Sequence, residues 1–305
     1  MAESAPDAVA MGRRAASAAR LSVVVASMLA GLKLLAAIFS GSIALAASFV
    51  DSLTDVFTSS VNLVAIRIGS RPADEDHRYG HGKAEGLAGM FQGAVVGFSG
   101  VYLIVESVRR LMTRTHVGNE WIGLVIMAIS TFASLWITWF LRRRAKETDS
   151  SALLADSAHY ASDVLMNLGV FVALGIDRLF DIPWMDPAMG LLVAVIVLRS
   201  SWHVLRASLD ELMDRDLGED IQQTIRRAVT EQVPEAREIR SLRTRRSGRA
   251  RFVDLMVAFD RNLSFAEAHR LSERAARAVR GVVPSADVTV HADPDPLLPG
   301  DHAGD

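Results

Sequence analysis

The sequence predicts an all-α six-helix membrane domain followed by a small α+β domain. Three observations carry this. Half of the 305 residues are hydrophobic, and the mean hydropathy is positive, which is more apolar than a water-soluble chain needs. Charged residues are sparse between residues 16 and 200 and dense beyond 205. From residue 209 onward the long apolar runs give way to short amphipathic segments. The expected organisation is a tail at 1–15, a membrane domain at 16–208, a second domain at 209–296 and a disordered tail at 297–305. The opening MAESAPDAVAMGRRAASAAR has no compact apolar core followed by a small-residue cleavage site, so it reads as a short mobile tail and not a cleaved leader. The net charge of −2 offers nothing to a nucleic acid. Cysteine is absent, which excludes disulfides and thiolate ligands; any metal must be held by His, Asp or Glu.

A membrane helix needs ~20 mostly apolar residues. Six stretches qualify: Leu21–Phe39 with the single charge Lys33, Ile43–Ile68, the Gly-rich Ala84–Leu111 with Glu106, the uncharged Trp121–Leu141, Ser151–Phe180, and Pro183–Leu198 with Asp186 near its start. The second carries Asp51 and Asp55, and the fifth carries Asp156, His159 and Asp163, so both score weakly on hydropathy alone. Lys and Arg in short loops mark the cytoplasmic side. Arg13, Arg14 and Arg20, then Arg71, Arg78 and Lys83, then Arg142, Arg143, Arg144 and Lys146 fall on one side of a six-span arrangement. Arg109, Arg110 and Arg114 fall on the other. The balance puts both termini in the cytoplasm.

The second domain reads as helix–strand–strand–helix–strand. GEDIQQTIRRAVTEQV places Ile221, Ile225, Val229 and Val233 on one helical face. EIRSLRTRRSG and ARFVDLMVAFD alternate as strands, with a turn at Ser247-Gly248. In SFAEAHRLSERAARAVRGV, Ser264 is the expected N-cap, with Glu267 three residues on. DVTVHADP is a last short strand.

Asp51 and Asp55 are spaced i, i+4, and so are His159 and Asp163. On helices each pair shares a face. Two such helices placed face to face bring together three carboxylates and one imidazole, a donor set for tetrahedral Zn2+ or a similar divalent ion. Ionisable residues within a span are functional by default. A second cluster, Asp74, His77 and His81, lies in the loop RPADEDHRYGHGKAEG, which suits a weak, open site. A third, dispersed set is His269 on the last helix with His291 and Asp293 in VHADP.

With these residues in view, the chain resembles the cation diffusion facilitator family from about residue 15 to 296. The resemblance rests on SGSIALAASFVDSLTDVFTSSVNL, RPADEDHRYGHGKAEGLA, ADSAHYASDVLMN, LRTRRSG and DVTVHADP. It implies a homodimer of six-span subunits, each with a cytoplasmic α-β-β-α-β domain of metallochaperone- or ferredoxin-like fold. It also implies exchange of a divalent metal for protons across a bacterial inner membrane. It places the transport site on Asp51, Asp55, His159 and Asp163, and DxxxD with HxxxD looks like the subgroup that handles zinc, iron and cadmium. It maps the loop site to Asp74, His77 and His81. At the cytoplasmic site His269, His291 and Asp293 match, but Arg240 and Met256 stand where related chains have histidine ligands, so at most one ion is expected there. Lys83 and Asp214 match a charge pair between subunits.

Zinc is the expected substrate and regulator, with no cofactor as such. The partners implied are metal ions, protons, lipid and a second copy of the chain. A manganese-preferring exporter is the alternative within the family. Two rivals come from other classes. An intramembrane aspartyl protease would place one Asp on each of two spans and carry GxGD, which is absent. A membrane-anchored metal sensor would need no ligands inside its spans.

Overall fold

The computed structural model describes residues 5–40, 43–113, 121–180, 184–284 and 286–295. Arg114, Pro183 and the expected disordered tail at 297–305 lie outside the described residues. Six long helices come first: α1 Ala5–Ser40, α2 Ile43–Gly69, α3 Lys83–Thr113, α4 Trp121–Thr148, α5 Ser151–Phe180 and α6 Met185–Leu212. There follow α7 Glu219–Gln232, β1 Glu238–Ser247, β2 Ala250–Asp260, α8 Phe265–Val282 and β3 Ala286–Asp295. The expected order, helix–strand–strand–helix–strand, is the one found. The chain divides into two compact units between Leu209 and Asp210.

The helices of the membrane unit outrun the apolar stretches. α1 begins at Ala5, inside the segment expected to be a tail. The cause is alanine, the strongest helix former, used here for close packing as well: Ala15, Ala18 and Ala19 are buried in a cluster with Ile66, Leu141 and Leu153. α6 continues beyond Leu198 to Leu212 because its face keeps meeting α3. There Gly89, Gly93, Gly97 and Gly100 lie against Ser208, Leu205, Ser201 and Leu198 in turn. A Cβ on Gly93 would sit 2.9 Å from the Leu205 side chain and 3.2 Å from its backbone nitrogen. Small residues at such spacing let two membrane helices approach closely, and Ser201 Oγ donates to the Gly93 carbonyl at 2.8 Å.

Five helical segments among the described residues are long and apolar enough to cross a membrane: Ala10–Phe39, Ser48–Gly69, Lys83–Arg109, Leu124–Thr148 and Pro187–Leu212. α5 packs against α4, α3 and α2, and Asp156 and His159 on its polar face are buried in protein. A short turn at Asp149, which adopts φ 51°, joins it to α4.

The second unit is a three-stranded sheet in the order β1-β2-β3. β1 and β2 form an antiparallel hairpin closed by Gly248 at φ 59°. β3 returns parallel to β2 after the α8 crossover, as a parallel pair requires. Ile225, Val229 and Val233 of the α7 face are fully buried, together with Val253, Val257 and Val279. Ser264 caps α8 in a reciprocal capping box with Glu267, as the sequence predicts. A register shift between Ile239 and Ser241 makes Arg240 the bulged residue of β1.

Candidate metal centre

α2 and α5 lie side by side and present Asp55, His159 and Asp163 to one another. His159 Nε2 is 2.8 Å from Asp55 Oδ1 and 3.9 Å from Asp163 Oδ2. One ligand atom from each residue lies within 4.8 Å of the other two. The imidazole is buried, and the two carboxylates are about four-fifths buried, at 21% and 22% side-chain exposure. The same Nε2 faces both acids, so a proton there and a divalent ion among the three groups are alternative occupants of one position. Metal ligation requires that proton to leave.

The fourth expected ligand stands apart. Asp51, one turn towards the start of α2, is exposed and outside the cluster. Its neighbour Ser52 accepts from Lys33 Nζ of α1 at 2.7 Å. The structure thus brings together three of the four residues and bonds a cation to the residue next to the fourth.

One turn deeper on both helices is a buried polar network. Asp156 is fully buried and accepts from Ser22 Oγ of α1 at 2.6 Å and from Ser59 Oγ of α2 at 3.1 Å. The Tyr160 hydroxyl lies 3.3 Å from both serines. These bonds satisfy a carboxylate that would otherwise be costly to bury, and they tie α1, α2 and α5 together behind the metal-ligating groups.

The loop cluster also assembles. Asp74 Oδ1 accepts from the His77 backbone N–H at 2.7 Å and lies 3.3 Å from His77 Nδ1. Asp74 Oδ2 is 3.2 Å from His81 Nε2. The two imidazole rings are 4.6 Å apart, and all three residues offer ligand atoms within 4.8 Å of one another. Gly80, at φ 79°, makes the turn that brings His81 back to Asp74. The His77 backbone N–H, and after it the imidazole, hold the Asp74 carboxyl below its usual range, so it remains an anion under mildly acidic conditions.

The third set does not come together in the same way. His291 Nε2 lies 2.9 Å from Asp293 Oδ1. The other Asp293 oxygen is 3.1 Å from Arg240 Nη1, and Arg240 Nη2 is 3.3 Å from Asp295 Oδ1. The guanidinium therefore occupies the carboxylates, and the β1 bulge is what aims it there. His269 stacks on Phe265 at the start of α8. Among the described residues it joins no metal-ligating cluster. Met256 lies opposite His291 in the β2–β3 register. Of the expected intersubunit pair, Lys83 opens α3, and Asp214 lies 3.4 Å from Arg245 of its own chain.

Two long helices contributing a buried His–carboxylate cluster, followed by an α-β-β-α-β unit, match known proteins along nearly the whole chain. A family model described as the cation efflux transmembrane domain matches residues 19–213, and one described as the cation efflux protein, cytoplasmic domain, matches residues 217–295. The chain belongs to the cation diffusion facilitator family. This facilitator is 34% identical over 282 residues to the cation-efflux pump FieF of Shewanella oneidensis, covering 92% of its own length and 95% of the relative's. It is 33% identical over 288 residues to the FieF of Citrobacter koseri, covering 94% and 95%. The facilitator is accordingly a multi-pass membrane protein of cation efflux. The sequence shows Lys33 as the single charge of the first span and Asp156 beside His159 and Asp163 on the fifth, without giving either a role. The signal was available: a single lysine in an otherwise apolar span needs a partner, and the i, i+3 spacing of Asp156 and His159 puts both on the face that meets α2.

Proposed function

We propose that this facilitator exports divalent transition-metal ions from the cytoplasm in exchange for protons, with zinc as the main substrate and cadmium and iron as others. It would work as a homodimer in a bacterial inner membrane with both termini in the cytoplasm. The carrying observation is the buried Asp55–His159–Asp163 cluster. Two carboxylates and one imidazole suit a borderline ion better than a purely hard one such as Mn2+, which favours oxygen donors alone.

The chemistry of exchange follows from that donor set. At cytoplasmic pH, metal displaces the proton held between His159 and the acids. On the far side, higher proton activity returns it and frees the metal. Helices rocking about a fixed midplane site would supply the two access states. The test is flux into proteoliposomes across a panel of ions with an imposed pH gradient. Zinc uptake that rises with the opposing proton gradient, and that Asp163→Ala abolishes, supports the proposal. Flux indifferent to the gradient removes the antiport, and peptide cleavage without flux would return the protease reading.

A further inference from the structure

The span α1 carries one charge in its apolar run, Lys33. A lone ammonium in a membrane helix is costly unless something nearby compensates it. The compensation is visible. Lys33 Nζ donates to Ser52 Oγ at 2.7 Å, and Ser52 stands next to Asp51 and three residues, one helical turn, before Asp55 on α2. Its charge is thereby fixed beside the turn of α2 that carries the site's acids, although it cannot coordinate a cation.

We propose that Lys33 is a positioning residue that serves as the fixed counter-charge of the transport site and keeps its affinity for divalent metal low enough for release. The inference rests on the reading of Asp51, Asp55, His159 and Asp163 as that site. Ionised, Asp51, Asp55 and Asp163 carry three negative charges, and the buried carboxylate of Asp156 stands one turn away. A divalent ion offsets two of these charges and the ammonium one more, so Lys33 brings the loaded site one unit closer to neutrality, which lowers the cost of burying it. Without Lys33 the loaded site is one unit more negative and binds its metal more tightly. A transporter needs binding weak enough for the substrate to leave.

Zinc transport by the full chain in proteoliposomes tests this through the split between KM and kcat. Removing a unit positive charge held one helical turn from the site removes its repulsion of a divalent ion, which acts strongly across a protein interior. Lys33→Met is therefore expected to lower KM at least about tenfold and to lower kcat as release slows. Lys33→Gln keeps a donor for Ser52 and should behave the same way, which covers the case in which the methionine variant fails to fold. Lys33→Arg keeps the charge and should restore both constants towards wild type. Ser52→Ala removes the hydrogen bond and keeps the charge, so it should move KM much less than Lys33→Met does. If Lys33→Met and Ser52→Ala instead lower kcat alike with KM unchanged, Lys33 is only a strut between α1 and α2 and the proposal is wrong. Asp163→Ala separates the two levels. If it leaves transport intact, the site reading falls. If it abolishes transport while neither Lys33→Met nor Lys33→Gln lowers KM, the site stands and the counter-charge does not.

Discussion

At the scale of single residues, the candidate metal site was half legible. Spacing alone put Asp51 with Asp55 and His159 with Asp163, because an i, i+4 pair must share a helical face. Spacing could not say which of the two acids on α2 meets α5, since that depends on how the helices are rotated against each other. The structure answers with Asp55, at 2.8 Å from His159, and leaves Asp51 exposed and outside the cluster. The variants should differ accordingly. Asp55→Ala or Asp163→Ala is expected to weaken metal affinity by at least about a hundredfold, more than the loss typical of outer-shell partners. Asp51→Ala should weaken it less, and a zinc titration of the three variants ranks them. Equal losses would mean that Asp51 joins the shell when metal binds. Arg240 was legible as a residue that cannot ligate, but its tie to Asp293 and Asp295 depends on a β-bulge that no pattern announces.

At the scale of elements, helix and strand positions followed from periodicity, and lengths did not. Apolar composition ends where the bilayer ends, whereas a helix ends where its hydrogen bonds and packing end. That is why α1 starts at Ala5 and α6 runs to Leu212. The α3–α6 seam makes the point testable. Gly93→Leu would push a side chain into Leu205, where even a Cβ is too close. The variant should lose thermal stability in detergent, while a bulky residue at Gly31, which faces open space, should not. In the second unit, Ser264→Ala removes an N-cap and is expected to cost about 1 kcal/mol, read as a lower melting midpoint. The Ser264 hydroxyl, then its backbone N–H, hold the Glu267 carboxyl below its usual range. A carboxyl depressed on folding stabilises above its unfolded value and loses that contribution as pH falls through the folded one. Glu267→Gln should therefore flatten the acid limb of unfolding and leave stability at neutral pH less than wild type.

At the scale of the whole molecule, the two units have separate cores, and among the described residues the apolar interior of the second holds no His, Asp or Glu. The fragment from residue 209 to 296 is thus expected to fold in the presence of a chelator, with a circular dichroism spectrum that zinc does not change. A spectrum that appears only with zinc would make metal a staple of this fold. The division at Leu209 was legible as a shift in charge density, since water and lipid select different surfaces. The packing of α5's polar face against α2, α3 and α4 was legible only as weak hydropathy in its first half. It has a consequence for how the chain is made. A segment carrying Asp156, His159 and Asp163 has little reason to leave a translocation channel for lipid by itself, because each ionised aspartate disfavours that step by about 2.5–3.5 kcal/mol. Its neighbour α4, apolar throughout its span and joined to it by a turn at Asp149, provides a protein surface to partition against. Biogenesis should then proceed by insertion of α4 and α5 as one hairpin. A nascent chain with α4 replaced by a polar spacer would be expected to pass α5 across the membrane or leave it outside, whereas the intact pair enters together.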